Sequence, residues 1–83
     1  MNIYLISQAY NKSYDTYDSA IVVARSKKEA QSIHPESKNY RPSSNAHSET
    51  WCSSEHVRVT LIGTLTNPDY KAGMVVSSSF NAG

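Results

Sequence analysis

The spacing of apolar and polar residues along the chain predicts four strands and one short helix. The most informative stretch is residues 19–35, SAIVVARSKKEAQSIHP, in which the apolar run 20–24 precedes a polar turn. β-branched residues at the centre of such a run favour a strand that is buried on both faces.

A short helix is predicted directly after this strand. Ser26 and Glu29 have the spacing of a capping box, in which the Ser26 hydroxyl accepts from the Glu29 amide and the Glu29 carboxylate reaches back to the Ser26 amide. The helix is expected to cover residues 27–34 and to end at Pro35, because proline disfavours helical conformation in the residue before it. A helix this short is stable only if apolar residues such as Ala30 pack on a sheet.

The N-terminal segment is predicted to pair with the apolar run. Residues 2–8 alternate weakly, with Ile3 and Leu5 on one face and Tyr4 and Ile6 on the other, which indicates a strand with both faces partly covered. The polar connection that follows, residues 9–18, is short enough for a hairpin. We therefore expect the first two strands to be antiparallel neighbours.

The C-terminal part of the chain predicts two more strands. In residues 57–62, Val57, Val59 and Leu61 alternate with Arg58, Thr60 and Ile62, as in a half-buried strand. Gly63 indicates a bulge or the approach of another backbone. The run 74–80 follows the turn sequence Asn67-Pro68-Asp69. These two strands are expected to form a second hairpin.

Residues 35–56 are the least regular part of the sequence, rich in serine and poor in apolar side chains. A loop this long is unusual in a compact domain, so it is either a functional loop or contains a short strand at 49–52. We favour a loop whose end is held by Trp51, since a lone indole usually packs on the core. The sum is ββαββ: one α+β domain, residues 1–83, with a mainly antiparallel four-stranded sheet and one short helix. A small all-β barrel with one helical turn is the alternative.

Charge and cysteine content narrow the classes of function. The net charge of +1 gives no strong field for nucleic acid or an anionic membrane, and it lacks the large negative charge of a DNA mimic. Cys52 is the only cysteine, which suits a reducing compartment. The N-terminal residues 1–10 lack the basic start of a signal peptide, and no apolar run approaches the length of a membrane span. We therefore expect a soluble protein of the cytoplasm, in whichever cell expresses it.

Two chemical sites are conceivable around the single cysteine. His47, Cys52 and His56 have side chains that bind zinc, but the paired ligand spacing of a zinc site is missing. Cys52 could also act as a nucleophile with one of these histidines as its base, although the flanking sequence forms no catalytic signature. The sequence therefore predicts no enzyme, no metal site and no cofactor.

Tyrosine-rich loops predict a surface that binds a protein partner. Tyrosine offers a large contact area at the cost of few frozen torsions, and interface hot spots favour tyrosine and arginine. The predicted surface is centred on the connection after the first strand, with the loop after the helix as a second edge; its residues are Tyr10, Tyr14, Asp15, Tyr17, Lys38, Tyr40 and Arg41.

A small nucleic-acid-binding domain is the alternative function. Basic residues interspersed with an aromatic ring can bind single-stranded nucleic acid. The candidates are Lys27, Lys28, Lys38, Tyr40 and Arg41. Because these groups are few and the net charge is near zero, the prediction favours a protein partner.

Several segments together resemble a group of small proteins encoded by bacteriophages and prophages. They are YDTYDSAIVVA at 14–24, SIHP at 32–35, WC at 51–52, VRVTLIG at 57–63 and SSFNAG at 78–83. The likeness covers most of the chain and is lost mainly in residues 36–48. It carries over no catalytic or ligand residues. It implies a phage gene context, in which small compact proteins often bind and block a host protein, as anti-CRISPR proteins do.

Overall fold

The computed structural model describes residues 1–12, 16–35 and 51–81, which form one four-stranded antiparallel sheet with a short helix. The strand order is β3-β1-β2-β4. The predicted α+β fold is therefore confirmed, whereas the conformation expected for residues 36–50 lies outside the described residues. The elements are β1 (Asn2–Ser7), β2 (Thr16–Ala24), α1 (Lys27–Gln31), a 3-10 turn (Ser54–His56), β3 (Arg58–Thr64) and β4 (Val75–Asn81).

The first two strands form the predicted hairpin and occupy the centre of the sheet. Tyr4 lies opposite Val22, and Ile6 lies opposite Ala20. All four side chains are buried, on the face of the sheet that packs against α1. Val23 points to the other face and is also buried, so the apolar run of β2 is covered on both sides as predicted.

The predicted hairpin of β3 and β4 is wrong, because these strands lie at opposite edges of the sheet. The chain between them crosses the end of the central pair. The Leu65 N–H donates to the Met1 carbonyl at 2.8 Å, and the Gly73 N–H donates to the Val23 carbonyl at 2.7 Å. These bonds satisfy backbone groups of the connection. The turn sequence within the connection is therefore compatible with β3 and β4 that do not pair with each other.

The core lies between the sheet and the segments that cover one of its faces. Ala30 of α1, Ile33, Trp51 and Val57 join the central strands in one buried cluster. Trp51 is 3% exposed, which confirms the prediction that its indole packs on the core. The covering layer is therefore built from α1 and from the chain that leads into β3.

The capping of α1 was predicted in part. The Ser26 hydroxyl accepts from the Glu29 N–H at 3.2 Å, but the Glu29 carboxylate accepts from the Arg25 N–H at 2.8 Å instead of from Ser26. The helix ends at Gln31, earlier than expected, with Ser32 at its C-cap. The Ser32 hydroxyl donates to the Glu29 carbonyl at 2.8 Å, which satisfies a terminal acceptor without another helical turn.

Burial declines along β3. Val57, just before the strand, is buried and Val59 is half-buried, but Leu61 is 55% exposed. The predicted half-buried alternation therefore holds only at the beginning of residues 57–62. Ile3 lies opposite Gly63 while Tyr4 lies opposite Leu61, which leaves Ile62 as the extra residue of a bulge. The bulge expected at Gly63 is therefore one residue away.

Candidate partner-binding surface

The structure describes two residues of the predicted partner surface, Tyr10 and Tyr17. The other predicted residues lie outside the described parts of the chain: Tyr14, Asp15, Lys38, Tyr40 and Arg41. The two described tyrosines have different surroundings.

Tyr10 is held as an exposed ring against a histidine. Its side chain is 70% exposed, and its ring is stacked on that of His56 with a centroid distance of 3.8 Å and an interplanar angle of 8°. One face of the phenol ring is therefore covered by the imidazole. The stack brings together the connection after β1 and the 3-10 turn before β3, which are far apart in sequence.

Hydrogen bonds of Gln8 and Asn11 fix the connection that carries Tyr10. The Gln8 Nε2 donates to the Asn11 carbonyl at 2.7 Å and to the Tyr17 carbonyl at 2.9 Å, while its Oε1 accepts from the Asn11 N–H at 2.7 Å. The Asn11 Nδ2 donates to the Trp51 carbonyl at 3.1 Å. The turn is thereby joined to the segment that leads to His56.

An acidic side chain flanks the imidazole of the stack. The Glu55 Oε1 lies 3.6 Å from the His56 Nε2 and accepts from the Ser53 hydroxyl at 3.2 Å. Tyr10, Glu55 and His56 are all exposed. The surface thus combines an aromatic stack with a carboxylate, a set of groups that can contact a protein through both apolar and polar atoms. Sequence reasoning named Tyr10 but missed His56 as its neighbour, because nothing in the sequence spacing reports a contact between distant loops.

Tyr17 is partly buried and packs against the core. Its ring meets Phe80 edge-on at a centroid distance of 4.7 Å and His34 at 6.2 Å. Tyr17 and Phe80 are cross-strand partners on β2 and β4, so this contact joins an edge strand to the centre of the sheet. A role for Tyr17 in partner binding stays a prediction.

The surroundings of Cys52 oppose reactive chemistry. Burial raises the pKa of its thiol from the ordinary value of 9.0 to about 11, so the sulfur is protonated at neutral pH. A protonated thiol is a poor nucleophile and a poor metal ligand. Within the described parts of the chain no three His, Cys, Asp or Glu side chains lie close enough to hold a metal ion. His47 lies outside the described residues.

A groove between α1 and β3 was not predicted from the sequence. Its volume is about 520 Å³, and it is lined by Lys27, Lys28, Gln31, Val57 and Val59. The two lysines are exposed, as expected for the first turn of a helix. The sequence held one signal, since lysines on the first turn of a capped helix lie beside whichever strand that helix covers. The sequence could not show that this strand is β3, because that depends on the pairing of β3 with β1.

The nucleic-acid alternative depends mostly on residues that the structure does not describe. Lys27 and Lys28 are exposed on α1, while the other three candidates, Lys38, Tyr40 and Arg41, lie in the undescribed segment. Convergence of the five groups on one surface stays a prediction.

Within the described ranges, no helix has the length and apolar character needed to cross a membrane. Comparison of the chain with protein-family models, curated proteins and solved structures finds no match in any of the three.

Proposed function

We propose that this chain is a non-enzymatic protein-binding module whose partner surface is centred on Tyr10. The observation that supports this proposal is the exposed stack of Tyr10 on His56, at 70% exposure of the tyrosine and 3.8 Å between ring centroids. Interface hot spots are enriched in tyrosine, so an exposed tyrosine ring that its neighbours hold in one position supports a role in binding.

The way in which the stack is held favours binding. A partner that contacts a ring already fixed by its neighbours loses less conformational entropy than one that must order a mobile side chain. Gln8 and Asn11 brace the backbone on one side of the stack. The 3-10 turn Ser54–His56 carries the other ring. The Tyr10 surface is therefore pre-organised for contact with a partner.

The state of Cys52 supports a binding role over a catalytic one. Its raised pKa leaves the thiol protonated at neutral pH, so it lacks the thiolate that a nucleophilic cysteine needs. The alternative of a cysteine enzyme would require a base close to the sulfur that lowers this pKa, and burial acts in the opposite direction.

The resemblance to small phage-encoded proteins extends the proposal to the kind of partner. In that context the partner is a host protein, and the module acts as an inhibitor by covering a surface that the host protein uses. Blocking of a host defence complex, as anti-CRISPR proteins do, is the specific form of this proposal.

Co-purification from bacterial lysates tests the proposal. Tagged wild-type protein is expected to recover a stoichiometric partner, and Tyr10→Ala is expected to lose it while keeping its melting temperature. Tyr70→Ala is the matched control, since Tyr70 lies on the distant connection between β3 and β4. Absence of a stoichiometric partner across several hosts, or full recovery by Tyr10→Ala, would contradict the proposal.

A further inference from the structure

The groove beside α1 combines apolar side chains with positive charge. Val57 and Val59 form the apolar part of its lining, and Lys27 and Lys28 contribute the ammonium groups. Within the described ranges neither lysine forms an ion pair. The groove therefore offers both burial for small apolar side chains and attraction for carboxylates.

The acidic side chains nearest in sequence to this groove are engaged elsewhere. The Glu29 carboxylate accepts from the Arg25 N–H at 2.8 Å. The Glu55 carboxylate accepts from the Ser53 hydroxyl and lies 3.6 Å from the His56 Nε2. Each of these two carboxylates thus has a local partner of its own, and within the described residues neither one pairs with the lysines of the groove.

The ladder between β1 and β3 shows which way the backbone of β3 points. The Leu65 N–H donates to the Met1 carbonyl, so the main-chain groups of Met1 are directed towards the β3 side. This direction alternates along an antiparallel strand, so Leu5 also directs its groups towards β3. Thr60, which lies opposite Leu5, therefore directs its own N–H and C=O towards β1.

The neighbours of Thr60 must point the other way. The main-chain N–H and C=O groups of Val59 and Leu61 are directed to the outer side of β3, where the described parts of the chain place no further strand. The side chain of Val59 lies on the face covered by α1, because its cross-strand partner is the core residue Ile6. Among the described residues, these outward backbone groups have no strand partner, and they lie along the same edge as the groove.

We propose that β3 binds an extended acidic segment of a partner protein as an added strand, with its apolar side chains in the groove beside α1 and its carboxylates on Lys27 and Lys28. Main-chain hydrogen bonds to Val59 and Leu61 stabilise the added strand whatever its sequence. The groove provides specificity, because only some side chains of the added strand fit it. The charge of the two lysines selects acidic segments over basic ones. A single strand of nucleic acid would use the lysines but not the outward main-chain donors and acceptors.

The other edge of the sheet is a weaker candidate for this role. The strand there, Val75–Asn81, carries three consecutive serines and no charged residue. The groove lined by Lys27, Lys28, Val57 and Val59 lies beside β3. The combination of edge, groove and charge occurs at β3.

This inference rests on the proposal that the chain is a protein-binding module, but it concerns a surface different from that of Tyr10. Loss of a partner in Tyr10→Ala tests the proposed function, whereas the peptide experiments below do not involve Tyr10. If peptides fail to bind while Tyr10→Ala loses its partner, only the strand-addition proposal fails.

Fluorescence anisotropy with short labelled peptides tests the proposal. A peptide that alternates valine and glutamate is expected to bind with a dissociation constant below about 1 mM, and at least about tenfold more tightly than one that alternates valine and lysine. The double variant Lys27→Glu, Lys28→Glu should weaken binding of the acidic peptide about tenfold. Lys71→Glu, on the connection between β3 and β4, is the matched control and should leave binding unchanged apart from a small screened effect.

Two further measurements separate strand addition from simple charge attraction. Leu61→Pro removes one outward N–H from an edge position and should abolish binding; amide exchange of Val59 and Leu61 should slow when peptide is added to wild-type protein. If Leu61→Pro unfolds the domain, amide exchange alone decides. The proposal is overturned if neither peptide binds, if both bind equally, or if exchange at these two amides is unchanged. It is also overturned if an oligonucleotide binds more tightly than the acidic peptide, or if sedimentation shows a dimer whose subunits pair through β3.

Discussion

Gln8 and Asn11 are joined by two hydrogen bonds that run in opposite directions. The Gln8 Nε2 donates to the Asn11 carbonyl and the Gln8 Oε1 accepts from the Asn11 N–H, both at 2.7 Å. The Gln8 amide thereby closes the turn that carries Tyr10 as a backbone strand would. The conformation of this turn therefore depends directly on the side chain of Gln8.

Replacement of this side chain should destabilise the domain. Gln8→Ala removes both bonds to Asn11 and the bond to the Tyr17 carbonyl. We expect a loss of about 1–2 kcal/mol in the free energy of unfolding, because partly buried backbone groups lose their partners. Gln31→Ala is the control, since Gln31 donates a single solvent-exposed hydrogen bond, to the Ser54 carbonyl, and its loss should cost within about 0.5 kcal/mol. Urea denaturation of both variants measures the difference, and equal midpoints would contradict the assignment.

Trp51 should be essential for folding. Its side chain is 3% exposed in the core of a chain of 83 residues. Loss of a buried tryptophan costs about 3–5 kcal/mol, whereas a domain this size has about 4–12 kcal/mol of stability in all. Trp51→Ala should therefore melt far below wild type or fail to fold, and Trp51→Phe should retain most of the stability. Circular dichroism melting tests this, and a small shift for Trp51→Ala would place the indole outside the core.

The cap of α1 allows a graded comparison. The Ser26 hydroxyl accepts from the Glu29 N–H at 3.2 Å. Ser26→Ala should reduce the free energy of unfolding by about 1 kcal/mol, while Ser26→Gly should cost only a few tenths of that. Chemical denaturation of the two variants gives this order. A free energy of unfolding for Ser26→Ala equal to that of the wild type would mean that the hydroxyl contributes nothing to helix stability.

Cys52 should make stability fall at alkaline pH. Its pKa is raised to about 11 in the folded protein from an ordinary value of 9.0, so between these values the unfolded chain releases a proton that the folded chain retains. Bound protons then favour the folded state, and its stability from this group is constant below about pH 9 and declines as the pH rises towards 11. Cys52→Ser removes this contribution.

Comparison of melting curves for wild type and Cys52→Ser across this range isolates the thiol from the other titrating groups. The slope of stability against pH should be steeper in the wild type. In addition, iodoacetamide at mildly alkaline pH should react more slowly with the folded protein than with the protein in urea. Equal reaction rates would contradict the raised pKa.

The sequence predicted those features that depend on neighbours along the chain. The apolar run 20–24, the cap at Ser26 and the first hairpin all follow from local pattern, and the structure confirms each of them. The short C-terminal end of α1 was missed because Ser32 satisfies a helix carbonyl through its side chain. Helix propensity alone does not show that the hydrogen bond from Ser32 to the Glu29 carbonyl is more favourable than a further helical turn.

Features that depend on long-range pairing could not be predicted from the sequence. The turn sequence Asn67-Pro68-Asp69 is equally compatible with a hairpin and with a crossing of the sheet end, and only the strand order decides. The contact of Tyr10 with His56 and the groove beside α1 both result from that order. Tyr10 itself was predicted because exposed tyrosines in polar loops are visible in the sequence.

The central position of β1 and β2 has a consequence for the order in which the chain folds. These strands are neighbours in sequence, so their hairpin closes a short loop, whereas the pairing of Leu5 with Thr60 closes a much longer one. Loop closure of long range slows folding more than local pairing does. The domain should therefore assemble from its middle outwards, with β3 and β4 as the last strands to attach and the first to detach.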